Sequence, residues 1–209
     1  MVITYHGASY IRASFGDLTL AFNPISKDSK LKSTSMGSDI ALISLLDPDM
    51  NGAESASRGE KQAFVVSGPG EYEIKDIVIR GFASSSDYRR KGRINTIYLV
   101  SLEGMTLCHL GALNSELPHE AKEELDDIDI LFLPIGGEGA LNASDAHKLA
   151  VALEPRIIVP VHYGEIGEKD ALKKFLKEEG ESDLKPIDKL TVKKKDLEGK
   201  EGEIVLLSS

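Results

Sequence analysis

The hydrophobic pattern divides the chain into a strand-rich first half and a second half in which strands and helices alternate. In the first half apolar residues come in short runs, alternating with polar ones or unbroken, as half-buried and fully buried strands require. This predicts strands at Val2–Tyr5, 9–13, Leu18–Phe22, 40–43, 63–66, 72–74 and 77–82. Gly7, Gly16-Asp17 and Gly68-Pro69-Gly70 punctuate them as turns. Two longer strands follow at 96–102 and 105–110, joined at Glu103-Gly104 as a tight hairpin. The period then changes. Helical spacing predicts helices at 117–125, Ala143–Leu153 and 169–179, the last leading to Gly180. Buried strands at 128–134 and 156–161 lie between them, and strands at 187–192 and 203–207 close the chain. Strands first and αβ units afterwards imply an α/β protein with two sheets packed face to face and helices outside. No repeat, low-complexity tract or linker divides the sequence, so residues 1–209 read as a single domain.

Composition narrows the class. The chain is 41% hydrophobic and 28% charged, as ordinary globular proteins are. No apolar run approaches the roughly 20 residues of a membrane span, and the opening MVITYHGASYI lacks the three regions of a signal peptide. The one cysteine, Cys108, has no partner for a disulfide and lies in an apolar strand. A buried structural thiol in a reducing compartment is expected, which makes the cytoplasm the expected location. A net charge of −9 is a poor match for a nucleic-acid backbone or an anionic membrane, and neither is expected as a partner. Two basic clusters, Arg89-Arg90-Lys91 with Arg93 and Lys193 to Lys195, read as solvated loops or strand edges.

The segment with the most chemistry is 43–52, ISLLDPDMNG. It follows a buried strand and turns at Asp47, Pro48, Asp49, Asn51 and Gly52. Asp47 and Asp49 are a hard oxygen pair, suited to magnesium, calcium or manganese; the alternative is a solvated turn without ligand, the better reading of the segment alone.

Landmarks spread over nearly the whole chain extend this reading: ITYHGASY, AFNP, GPGEYEI, RINTIYLV, CHLGAL, IDILFLPIGG and IIVPVHYG. Together they resemble the metallo-β-lactamase superfamily, in its small cytosolic branch similar to ascorbate-6-phosphate lactonase-like proteins. The resemblance implies a four-layer αββα sandwich and a zinc-dependent hydrolase. It also implies a ligand loop Thr-His-x-His-x-Asp-His over 44–50. Here Ser44 stands for the Thr, Leu45 for the first His and Asp47 for the second; Asp49 keeps the Asp, and Met50 replaces the last His. Asn23 stands where the family carries an Asp before proline. Ser85 or Ser86, in an expected loop at 83–87, replaces the third-motif His. The bridging Asp of His-Leu-Gly-Asp becomes Ala112, after His109, which supports the site in the family without binding metal. His162 in PVHYG keeps the final ligand.

Leucine and alanine offer no donor atom, and the Met50 thioether suits copper(I) better than zinc. A dinuclear centre that clamps water between two ions is therefore not expected. What remains is Asp47, Asp49 and His162, with Leu45, Met50, Ser86, His109 and Ala112 lining the former cleft. The expected protein is a ligand-binding or regulatory member with no cofactor, whose partner is a small molecule or a protein. The alternatives are a hydrolase with one divalent ion on Asp47, Asp49 and His162, in which Asp49 acts as the catalytic carboxylate, and a structural homo-oligomeric subunit. His6 reads as a hydrogen-bonded loop imidazole, and His119 and His147 as surface residues on helices. Gly136-Gly137-Glu138-Gly139 reads as a turn at the mouth of the site, and Ser84 to Ser86 with Arg89, Arg90 and Lys91 as an anion site over the former metal cleft or a solvated loop.

Overall fold

The computed structural model describes residues 1–209. Five strands open the chain: β1 (Val2–Tyr5), β2 (Ile11–Phe15), β3 (Leu18–Phe22), β4 (Ile40–Leu42) and β5 (Phe64–Val66). They form a six-stranded sheet in which β12 (Leu190–Thr191) flanks β1, in the order β12-β1-β2-β3-β4-β5. The second sheet uses β6 (Gly70–Ile74), β7 (Ile77–Ser86), β8 (Arg93–Leu102), β9 (Met105–His109), β10 (Ile130–Pro134), β11 (Ile157–Val161) and β13 (Glu203–Ile204). Its order is β13-β11-β10-β9-β8-β7-β6, antiparallel from β6 to β9 and parallel from β9 through β13. This is the α/β sandwich that the element order implied.

Strand alternation sorts the core. Leu20, Phe22, Ile40 and Leu42 of the first sheet meet Ile79, Tyr98, Val100, Phe132 and Val159 of the second. Their sequence neighbours Ile97, Cys108, Leu131 and Leu133 point to the other face of the second sheet. There they pack against α1 (His119–Glu124), α2 (Ala143–Leu153) and α3 (Ala171–Glu178) through Ala121, Ala146, Ala150 and Phe175. Each fully buried Leu, Ile or Phe in these layers stabilises the fold by about 1.5–3 kcal/mol. Asn142 caps α2 by accepting from the Asp145 N–H at 3.0 Å.

The outer face of the first sheet is covered differently. Ala21 and Ala41 pack there against Ile25, Leu45, Met50 and Ala56. The covering segments are irregular, stitched by Met36 N to Ser55 O at 2.9 Å and Ser38 N to Ala56 O at 2.7 Å. No helix of the protein is long and apolar enough to cross a membrane.

Three expectations need correcting. β7 runs to Ser86 and β8 begins at Arg93, paired Ser86↔Arg93, so Ser84 to Ser86 form strand and not loop. Serines carry no hydrophobic alternation, and only the pairing partner fixes their conformation. Lys194–Leu197 is a short 3-10 turn, neither strand edge nor free loop, with Lys194 on the buried Asp129 at 2.7 Å. The strand expected at 187–192 shrinks to Leu190–Thr191, leaving Ile187 an isolated bridge to Leu207.

Candidate functional site

Residues in or just beyond β3, β4, β8, β9 and β11 converge through backbone ties that the sequence builds locally. Asn23 leaves β3 at φ 50, and its Oδ1 accepts the Ser44 N–H at 2.7 Å. Ser44 O accepts from Thr96 N at 2.8 Å, and Asn95 Oδ1 accepts from Ala112 N at 2.9 Å. Ser9, beyond the positive-φ pair Gly7-Ala8, shares a hydrogen bond between its hydroxyl and His162 Nδ1 at 3.1 Å, and its carbonyl accepts from His109 Nε2 at 3.1 Å. One buried cluster thus joins five strands.

Asp47 and Asp49 do not lie in a solvated turn. Their side chains are 5% and 0% exposed. Burial of a carboxylate demands a counter-charge, and the basic cluster supplies it. Arg93 Nη1 reaches Asp47 Oδ2 at 2.6 Å, and Arg89 Nη2 reaches Asp49 Oδ2 at 2.5 Å, with Arg89 Nε 3.7 Å from Asp47 Oδ1. Tyr88 Oη donates to Asp49 Oδ2 at 2.6 Å, and Ser29 Oγ donates to Asp49 Oδ1 at 2.5 Å. Arg93 also donates to Leu46 O. Arg89 and Arg93 are therefore not free solvated charges; Arg90 and Lys91 stay exposed. The Tyr88 hydroxyl is held above its usual range, chiefly by burial and then by the bond to Asp49.

His162 sits at φ 59, an unusual conformation for a non-glycine residue. Its N–H donates to Ala8 O at 2.5 Å, and the Tyr88 ring stands edge-on against the imidazole at 4.9 Å. Its Nε2 is buried without a hydrogen-bond partner. Burial lowers its pKa to about 3, opposed in part by Asp49. His109 lies between Phe22 and Phe132, at 5.4 and 5.6 Å between ring centres. Its Nδ1 accepts from Gly111 N at 3.0 Å, which leaves Nε2 as the donor to Ser9 O. Burial lowers its pKa to about 4. Both imidazoles are neutral at neutral pH.

Between the His109 ordinary value of 6.5 and its folded value of about 4, the unfolded chain binds a proton that the folded chain refuses. Stability from this residue is complete above pH 6.5 and is lost as pH falls toward 4, by about 3 kcal/mol in all. Urea midpoints recorded from pH 7 to pH 4 should fall accordingly, and His109→Gln should flatten the slope. An unchanged slope in that variant would count against the assignment.

Leu45, Met50 and Ala112 belong to one buried apolar cluster with Ile25, Tyr88 and Ile166. Ser86 is fully buried, its Oγ accepting from Tyr88 N at 3.1 Å and donating to Gly139 O at 3.3 Å. Ser85, one residue earlier on the strand, faces away toward Asn114. Among the other candidates, His6 bonds Thr4 at 3.0 Å, His119 is exposed, and His147 is half-buried on Glu179 at 3.0 Å. Cys108 is fully buried, and burial pushes its thiol up, away from nucleophilic thiolate. No three His, Cys, Asp or Glu side chains gather in ligating geometry anywhere in the chain. Sequence reasoning set Arg89 over the former cleft as part of an anion site but missed its pairing with Asp49, and missed Arg93, Tyr88 and Ser29 as members of this cluster. The available signal was that two aspartates beside an apolar strand need cations, and the nearest basic cluster flanks a hairpin.

Comparison with known proteins gives the family and the fold. A family model described as a β-lactamase superfamily domain matches residues 2–162. A metal-dependent hydrolase from Bacillus licheniformis is 24% identical over 194 residues, covering 78% of this chain and 85% of the relative. One from Pyrococcus furiosus is 33% identical over 92 residues, covering 44% of this chain and 41% of the relative. A third, from Carboxydothermus hydrogenoformans, matches over 29% of its own length, so the match spans less than half of the last two relatives. Among solved structures, one assigned to the Zn-dependent hydrolases of the metallo-β-lactamase superfamily, from Thermotoga maritima, superposes with a TM-score of 0.78 at 23% identity, covering 99% of this chain and 97% of that one. A metallo hydrolase from Ignicoccus hospitalis gives 0.68 at 17% identity, covering 99% and 94%. At these identities the structures speak for the fold alone, which is the metallo-β-lactamase fold; the family model, matching more than three quarters of the chain, shows that the chain belongs to the β-lactamase superfamily in its metallo-β-lactamase branch.

Proposed function

We propose that this single-domain protein keeps the scaffold of its family but not the metal chemistry, and works in the cytoplasm as a non-catalytic ligand-binding or regulatory protein. The observation that carries this reading is the apolar cluster of Leu45, Met50 and Ala112 at positions where the family pattern calls for ligands. A two-metal centre does not fit these residues. Two aspartates already bonded to arginines, and one histidine with a free Nε2, are too few donors for two ions. The buried thiol of Cys108 accords with a reducing compartment.

A second reading draws on the unpartnered Nε2 of His162, held at a strained backbone angle. It places one divalent ion on Asp47, Asp49 and His162 and requires both aspartates to leave their arginines. Elemental analysis decides between the two, after incubation with zinc, manganese or magnesium salts and desalting. The first reading expects far less than about one ion per chain for every metal, and no turnover of lactones or phosphoesters. Close to one ion per chain, lost in His162→Ala, together with hydrolysis, would overturn it in favour of the second.

A further inference from the structure

We propose that Arg89 and Arg93 are the resident cations of this cleft: two guanidinium groups stand in for metal charge, and the strap that carries them seals a latent cation site. The inference rests on the reading above and gives the emptied centre a physical content. Asp47 and Asp49 bring two negative charges into a region with almost no solvent contact, and the two arginines bring two positive ones at 2.6 and 2.5 Å. A planar guanidinium suits this substitution because it stays charged and is less strongly hydrated than an ammonium. An exposed pair would mean little. Here Asp49 is wholly buried, so its charge needs a partner whether or not that partner adds net stability.

The strap is built to deliver them. Arg93 opens β8, opposite Ser86 at the end of β7. Between them Asp87 N bonds Gly139 O at 2.9 Å, Tyr88 N bonds Ser86 Oγ at 3.1 Å, and Gly92 N bonds Asp87 Oδ1 at 2.8 Å. Arg89 itself is at φ 58, a conformation that persists in a long side chain only where its surroundings fix it. The Tyr88 ring covers His162 while its hydroxyl holds Asp49, so one dipeptide touches both retained family positions. Arg89 is 46% exposed, which places its guanidinium at the entrance and its removal within reach of solvent ions.

A double-mutant cycle with ion rescue tests this on the full chain. Arg89→Met should lower the thermal midpoint by about 10 °C, because Asp49 is left buried and unpaired. Asp49→Asn alone should also lower it, and the pair Asp49→Asn/Arg89→Met should be clearly more stable than the sum of the singles implies. In the absence of other ions, manganese, zinc or magnesium chloride should raise the midpoint of Arg89→Met by about 5 °C for at least one metal. The same salts should leave the wild type and the Asp49→Asn/Arg89→Met protein unchanged. If Arg89→Met fails to fold, the charge-balanced pair must fold for the proposal to stand. Additive effects, or no ion response in a folded Arg89→Met protein, overturn it while leaving the non-catalytic reading intact. Hydrolysis by the wild type would defeat that reading without disturbing the coupling.

Discussion

Gly136→Ala should destabilise the protein by about 3 kcal/mol or more, because a methyl group there has nowhere to go. A Cβ on Gly136 would lie 1.9 Å from the His162 carbonyl oxygen and 3.0 Å from the His162 ring. Both are fixed. His162 is pinned from the other side by Ala8 and Ser9, and Gly136 O accepts from Glu168 N at 2.7 Å. The contact is with backbone, so no rotamer change relieves it, and either β10 or β11 must shift at its end. Gly68→Ala is the control. Nothing lies within 4 Å of a Cβ on Gly68 and its backbone is not left-handed, so its urea midpoint should stay near the wild type. A Gly136→Ala protein within about 0.5 kcal/mol of wild type would mean that the His162 turn is loose, and that its strained angle carries no structural demand.

The same pair of residues shows what was legible in the sequence. The strand IIVPVHYG and the run ILFLPIGG announced two buried strands by unbroken apolar character, and the fold pairs them as β11 and β10, parallel and in register from Ile130↔Ile157 to Pro134↔Val161. A period-2 or wholly apolar signal follows from burial itself, so the sheets could be read. The helix Ala143–Leu153 was readable to its ends because Asn142 caps it and the pattern stops at Glu154. Ser84 to Ser86 were not, since their strand is imposed by β8 and leaves no mark on hydrophobicity. At the site, the identities at Leu45, Met50, Asp49, Ala112 and His162 were visible by resemblance. The charge pairing was not. Asp49 and Arg89 are forty residues apart in the chain, and no local rule links a turn aspartate to a hairpin arginine. A segment scored alone looked solvated; only burial, a property of the whole fold, turned two aspartates into a demand for two cations.

Ala112→Asp, which returns the carboxylate of the family pattern, should cost about 3–5 kcal/mol at neutral pH and restore no metal binding. The family pattern implies that such a carboxylate would be offset by bound metal ions. In this protein Ala112 is fully buried in the cluster that holds Leu45, Met50 and Tyr88; Leu45 and Met50 offer no counter-charge, and the Tyr88 hydroxyl is already given to Asp49. Arg89 and Arg93 are already engaged with Asp49 and Asp47. The new carboxyl would be pushed up by burial, so the folded state would hold its proton more tightly than the unfolded chain. The deficit against wild type is then smallest below about pH 4 and grows as pH rises toward neutrality. Ala112→Val separates charge from size, since it crowds the same space without a polar atom and should show no such pH dependence. Urea unfolding of the three proteins between pH 4 and 7.5, with and without zinc, measures all of this. A cost below about 1 kcal/mol for Ala112→Asp would reveal a wet, accommodating cleft. Recovery on adding zinc would show that Leu45 and Met50 do not block a centre after all, and both the apolar closure and the non-catalytic reading would fall together.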